Sequence, residues 1–149
     1  MAFRIKGTRS KTRKAYRLSK HTKYFDTSIE RQTKTILESL GAIFTPQGDR
    51  QHPILIKSYN HPFYPDFIIN EIPGKRFEPL PCLLEVQGPY HFKSLRQINK
   101  TSWRQTCLTF EGYPLILLHH EWLKLVDITN RLRVSLLNIR EGECIRLEG

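Results

Sequence analysis

Two acidic residues stand inside apolar runs. Asp66 lies in Tyr64-Pro65-Asp66-Phe67-Ile68-Ile69, and Glu85 in Leu83-Leu84-Glu85-Val86-Gln87-Gly88. A carboxylate taken out of water is costly unless it is paired, hydrogen-bonded or bound to a cation. Both runs read as β-strands. Neighbouring strands lie about 4.8 Å apart, so two such acids can converge on one hard cation. Glu85 and Gln87 are two apart and share a face of their strand, while Leu84 and Val86 point the other way, into the core. Asp66, Glu85 and Gln87 therefore form an oxygen-rich cluster suited to Mg²⁺ or Mn²⁺. Such a metal polarises a phosphoryl oxygen and acidifies water, which is the chemistry of phosphodiester hydrolysis.

Three further residues could serve the same chemistry. His91, just past the strand end, is placed to act as a general base near neutral pH or to position water. Lys93 can do the same or grip a phosphate. Arg104, on a following helix, can hold a scissile phosphate or stabilise its developing charge. Each has a plainer alternative. Asp66 can be a turn-facing acid after Pro65, Gln87 a polar strand end, His91 a hydrogen-bonded core residue, and Arg104 a solvated charge. His119-His120-Glu121 does not make a zinc helix, because Lys124 stands where HExxH needs its second His. No Walker A, G-x-G-x-x-G or G-x-S-x-G is present.

The elements that must carry these residues follow from periodicity. Thr27 to Leu40 reads as a helix: Thr27 and Glu30 form a capping box, Ile29, Ile36, Leu37 and Leu40 an apolar stripe, and Gly41 the stop. Ala42 to Thr45 reads as a short strand and 46–49 as a turn. Ile54 to Tyr59 and Tyr64 to Ile69 read as strands parted by Asn60-His61-Pro62. Glu71 to Pro81, with three prolines, reads as a loop, and Cys82 to Val86 as a strand stopped at Gly88-Pro89. Lys100 to Glu111 reads as a helix turning Trp103, Cys107 and Phe110 or Leu108 inward. Pro114 to Leu118 reads as a strand buried on both faces. Glu121 to Leu125 and Ile128 to Ile139 read as helical. Tyr59, Phe63, Tyr64, Trp103 and Trp122 are expected in the core rather than as base-stacking platforms. The order α-β-β-β-β-α-β-α predicts an α/β fold: a mixed central β-sheet flanked by helices.

Pro-Asp, then about twenty residues, then Glu-Val-Gln, resembles the PD-(D/E)xK nuclease superfamily. The likeness spans about Thr27 to Leu125. It implies a restriction-endonuclease-like core (αβββαβ), with Asp66 and Glu85 as metal ligands and Gln87 where the superfamily usually has its water-holding Lys. It also implies an acid from the preceding helix, for which Glu30 is the match, although the capping box accounts for Glu30 equally well. Within that superfamily, Glu85-Val86-Gln87-Gly88-Pro89-Tyr90-His91-Phe92, Trp103-Arg104-Gln105-Thr106-Cys107-Leu108, Gly112-Tyr113-Pro114-Leu115 and Glu121-Trp122 resemble the RAP domain. Very-short-patch mismatch nickases and some homing endonucleases use a similar core with a nearby His. Gln87 departs from the RAP pattern, which has Asp there. The departure removes a charge but leaves an amide oxygen able to ligate or to orient water.

Composition sets the frame. The chain has 149 residues, 39% hydrophobic and 26% charged, with a formal net charge of +10. That is one domain with material for a core, and no apolar run nears the roughly 20 residues that span a bilayer. Three scattered cysteines without a CxxC read as reduced thiols of an intracellular protein. Residues 1–26 read as a basic arm and 27–149 as the nuclease-like domain. The arm carries Arg4, Lys6, Arg9, Lys11, Arg13, Lys14, Arg17, Lys20 and Lys23 with no acid before Asp26; beyond residue 24 the chain holds 15 basic and 14 acidic residues. An arm of this kind suits a polyanion, although an organelle-targeting segment or a solvated tail has the same composition. No apolar stretch follows the charges, which argues against a secretory signal. Cytoplasm, nucleoid or an organelle all stay open.

The expectation is a Mg²⁺- or Mn²⁺-dependent endonuclease, with DNA favoured over RNA and a homodimer if both strands are cut. The alternative is a RAP-type RNA-binding module, catalytically silent, in an organellar ribonucleoprotein.

Overall fold

A computed structural model describes residues 28–47, 52–88 and 94–148. The basic arm, His91 and Lys93 lie outside them. In chain order the elements are α1 (Ser28–Ser39), β1 (Ile43–Pro46), β2 (Ile54–Ile56), β3 (Tyr59–Phe63), β4 (Phe67–Ile72), β5 (Lys75–Arg76) and β6 (Cys82–Gln87). Then come α2 (Leu95–Phe110), β7 (Leu115–His119), a 3₁₀ turn (His120–Lys124), α3 (Ile128–Asn138) and β8 (Cys144–Leu147).

The central sheet runs β1-β4-β6-β7-β8, with β5 folded back on β4; β2 and β3 form a separate hairpin. Pairing is antiparallel from β1 through β6 and parallel from β6 through β8. The fold is thus α/β with a mixed sheet. Helices cover both faces, as the parallel half requires. On one face α1 and α3 pack Leu37, Leu132 and Leu136 against Phe67, Ile69, Leu84, Val86, Ile116 and Leu118. On the other, α2 and the β2–β3 hairpin pack Cys107, Leu108, Ile54 and Phe63 against Ile68, Leu83, Leu115 and Leu117. Alternate residues of β4, β6 and β7 therefore go to opposite cores. No described helix is long and apolar enough to cross a membrane.

Several elements stand where the pattern places them. Gly41 ends α1 at φ +77°, with its N–H on the Glu38 carbonyl and the Ala42 N–H on the Leu37 carbonyl. That pair of bonds satisfies carbonyls the helix leaves open, and only glycine takes the conformation without strain. The capping box cannot be followed, because Thr27 lies outside the described residues, as does most of the 46–49 turn; Pro46 itself ends β1.

Other readings need correction. Asn60-His61-Pro62 is the middle of β3, not a linker, and the turn is Lys57-Ser58. The three residues are exposed on a two-stranded hairpin, where a proline without an N–H is tolerated. The 71–81 loop holds the end of β4 and the short β5, joined at Gly74 with φ +95°. Helix α2 begins earlier, at Leu95, because the Ser94 side chain accepts from the Gln97 N–H and caps it. Its buried residues are Thr101, Gln105, Cys107 and Leu108, whereas Trp103 is 57% and Phe110 83% exposed. Of the other aromatics expected in the core, Phe63 is buried; Tyr59, Tyr64 and Trp122 are half-buried. Strand β8 was not anticipated. Cys82 and Cys107 are buried and Cys144 half-buried, all as free thiols; burial pushes the Cys82 thiol up to about 12, which suits packing rather than reactivity.

Candidate functional site

The site forms where β4 begins and β6 nears its end. The antiparallel register pairs Phe67 with Leu84 and Ile68 with Leu83. Asp66 lies one residue before β4, just past the last pair of that ladder, and its charge acts on Glu85. Glu85 shares the parity of Leu83, so its side chain belongs to the face covered by α2 and the hairpin. Gln87 follows on the same face. Glu85 is only 7% and Gln87 only 4% exposed, while Asp66 is half-buried.

The backbone explains part of the placement of Asp66. Leu83 N–H is given to Pro114, on the β7 side, so Val86 N–H three residues on faces β4. The ladder ends there, and Asp66 Oδ2 accepts that N–H at 2.8 Å. The carboxylate thus closes the ladder, a structural role that leaves its second oxygen for other partners. Its backbone carbonyl takes the Gln47 N–H at 3.0 Å, fixing the strand start to the end of β1.

Two other side chains complete the group. Glu30, half-buried on the first turn of α1, is hydrogen-bonded to the Asp66 carboxyl. Arg104 of α2 approaches from the opposite layer. Its guanidinium carbon lies 4.6 Å from the Phe63 ring centre, and its buried Nε has no hydrogen-bond partner.

The electrostatics match this crowding. Burial pushes Asp66 from 3.8 up to about 6, against the opposing pull of the Val86 N–H, the Glu30 hydrogen bond and Arg104. Glu85 is driven well above the usual carboxylate range, first by burial, then by the charge of Asp66; Arg104 opposes and Glu30 adds to the rise. Among the described residues, the Arg104 guanidinium acts on Asp66 and Glu85, with Glu30 beside them. An acid cluster holding protons it would ordinarily give up is a site short of positive charge.

The donor set decides which cation fits. Among the described residues no group of three or more His, Cys, Asp or Glu side chains is arranged to hold a metal ion by itself. A cage of the kind zinc or calcium prefers is therefore not built here. Mg²⁺ asks for less: one or two carboxylates, with water and phosphate oxygens filling the remaining positions. Asp66 and Glu85 on neighbouring strands meet that requirement, and Gln87 offers an amide oxygen alongside.

Sequence reasoning missed one neighbour. The parallel register sets His119 beside Gln87, with the parity of Leu115 and Leu117, and its Nδ1 accepts the Glu121 N–H at 3.2 Å. The signal was present: His119 ends an apolar strand and lies two residues after an inward-facing leucine. No family model matches the chain, and neither the curated proteins nor the solved structures gave a match.

Proposed function

We propose that the protein is a Mg²⁺- or Mn²⁺-dependent endonuclease that hydrolyses phosphodiester bonds, in DNA ahead of RNA. The observation that carries the reading is the closeness of Asp66, just before β4, to Glu85 of β6, both held above the ordinary carboxylate range and both acted on by Arg104. The PD-(D/E)xK likeness of these same residues supports it. Asp66 and Glu85 hold the metal. When bound, the metal supplies Lewis-acid charge that polarises a phosphoryl oxygen and acidifies water at neutral pH. Gln87, with His91 beyond the strand end and Glu30 beside Asp66, orients the attacking water. Arg104 brings a guanidinium with an uncommitted donor to the scissile phosphate. The basic arm and Lys93 add phosphate contacts that hold either nucleic acid alike. A homodimer supplies the second site that a double-strand cut requires.

A second reading keeps the fold and drops the reaction: an RNA-binding module of the RAP type. The buried Gln87 favours it, since it stands where the superfamily usually places a lysine. Incubation of the full chain with Mg²⁺ or Mn²⁺ and labelled DNA and RNA separates the two. Cleavage should fall by more than ~100-fold in Asp66→Ala and Glu85→Ala, with salt-sensitive binding retained. Binding without product on any substrate would favour the second reading. Undiminished cutting by Glu85→Ala would move the site elsewhere.

A further inference from the structure

Helix α2 has an outer face that the fold does not use. Trp103 and Phe110 lie on it, 57% and 83% exposed, seven residues and so about 10.5 Å apart along the axis. Beside them run Arg96, Lys100 and Arg104, spaced i, i+4, i+8, with steps of about 6 Å. The helix holds no acid, and neither does any position from Val86 to Phe110. This arrangement opposes helix stability. Like charges at i, i+4 repel, and Arg96 in the first turn meets the positive end of the helix dipole. A helix optimised only for folding would carry acids there. The innermost cation of the row, Arg104, stacks on Phe63 and acts on both Asp66 and Glu85.

We propose that α2 docks a nucleic-acid strand with an unpaired segment: Arg96, Lys100 and Arg104 take successive phosphates, and Trp103 stacks on an exposed base. The proposal extends the nuclease reading by naming its substrate form, a single-stranded or frayed region led by the cationic row to the carboxylates. Charge complementarity selects the occupant. A second copy of the chain would bring the same three cations to the same face and be repelled, whereas a phosphate backbone neutralises them. Aromatic stacking asks only for a π-face, and a base offers one once it leaves the duplex stack. Trp103 is well placed for this, because its ring stands free of the core next to the row.

Binding measured in EDTA tests this apart from cleavage. The chain has two tryptophans, so the full-length Trp122→Phe protein reports on Trp103 alone. Its emission should be quenched by a mixed-sequence single-stranded DNA oligonucleotide, and less by the corresponding duplex. Trp103→Ala should weaken single-strand binding by about tenfold, with Trp103→Phe recovering part of the loss and the thermal midpoint unmoved. Arg96→Gln with Lys100→Gln should reduce the log–log salt slope by about 1.4. Unquenched emission together with wild-type affinity in Trp103→Ala would overturn the proposal. So would a dimer that Trp103→Ala converts to monomer, which would place a second copy on this face. Weakened binding by Trp103→Ala in a protein that cuts nothing would leave α2 as a docking helix and remove the nuclease. Retained cutting with unchanged affinity in that variant would remove the docking helix and leave the nuclease.

Discussion

The two faces of β6 make opposite use of one strand. Cys82, Leu84 and Val86 enter the apolar core beneath α1 and α3. Leu83 starts the other face in the same way, but Glu85 and Gln87 continue it into a buried polar group. Six consecutive residues are buried, and only their parity separates packing from chemistry. On the first face each buried atom stabilises the fold. On the second, desolvated carboxylates oppose it. Groups that weaken a fold in this way mark places where something other than stability has shaped the sequence.

The largest test of that contrast uses two adjacent residues. Leu84→Ala should cost about 2–5 kcal/mol, read as a lower denaturation midpoint, because Leu84 is fully buried in a packed cluster. Glu85→Gln should do the reverse in metal-free protein at pH 8, raising the midpoint while cleavage disappears, since it removes a buried charge but keeps the shape. A fall of similar size in both variants would mean that the polar face is ordinary core.

A somewhat smaller effect comes from protons. Asp66 ordinarily titrates at 3.8 and is pushed to about 6 in the fold, so the folded state holds the proton more tightly than the unfolded chain. Its contribution is full below about pH 4 and is lost as pH rises through about 6, with an upper size of about 3 kcal/mol. Glu85, raised in the same direction, carries the loss further up the pH scale. Thermal melts without metal should show a decline over this window that Asp66→Asn flattens. Millimolar Mg²⁺ should flatten it too, because a bound cation displaces those protons. A decline indifferent to both would detach the acids from any cation.

The smallest expected change concerns Arg104. Arg104→Met should lower stability by about 1 kcal/mol through loss of its contact with Phe63. It should also move the pH transition upward, because the guanidinium is one of the groups that pull Asp66 and Glu85 down. A transition left in place would show that the cation acts elsewhere.

Much of this site could be read before any coordinates. An acid among β-branched residues is conspicuous, and strand parity alone separates Glu85 from Leu84. The end of α1 was legible because Gly41 has one conformational reason to be there. Helix α2 was read wrongly on its face, since large apolar side chains were taken as buried. Instead the polar Gln105 turns inward, where Arg146 of β8 donates to its Oε1 at 3.1 Å, and Thr101 is buried with Gln97 donating to its hydroxyl. The Gln105 bond satisfies a buried polar atom through a partner distant in sequence, which no local pattern displays. Strand β8 was missed for a similar reason. Its four residues, Cys144 to Leu147, alternate too briefly to register, and its stability comes from pairing with β7. Pro62 in β3 was taken as a break because its tolerance depends on where the strand sits.

Asp66 stands one residue before its strand, but Glu85 lies within β6, whose pairing with β7 runs on through Gln87. Backbone amides in such a strand open only when the whole domain does. The residue most at odds with its surroundings therefore has no cheap escape by fraying. Deuterium uptake around Val86 should be among the slowest in the molecule, and a ligand would find this carboxylate already waiting in place rather than having to gather it from a moving loop.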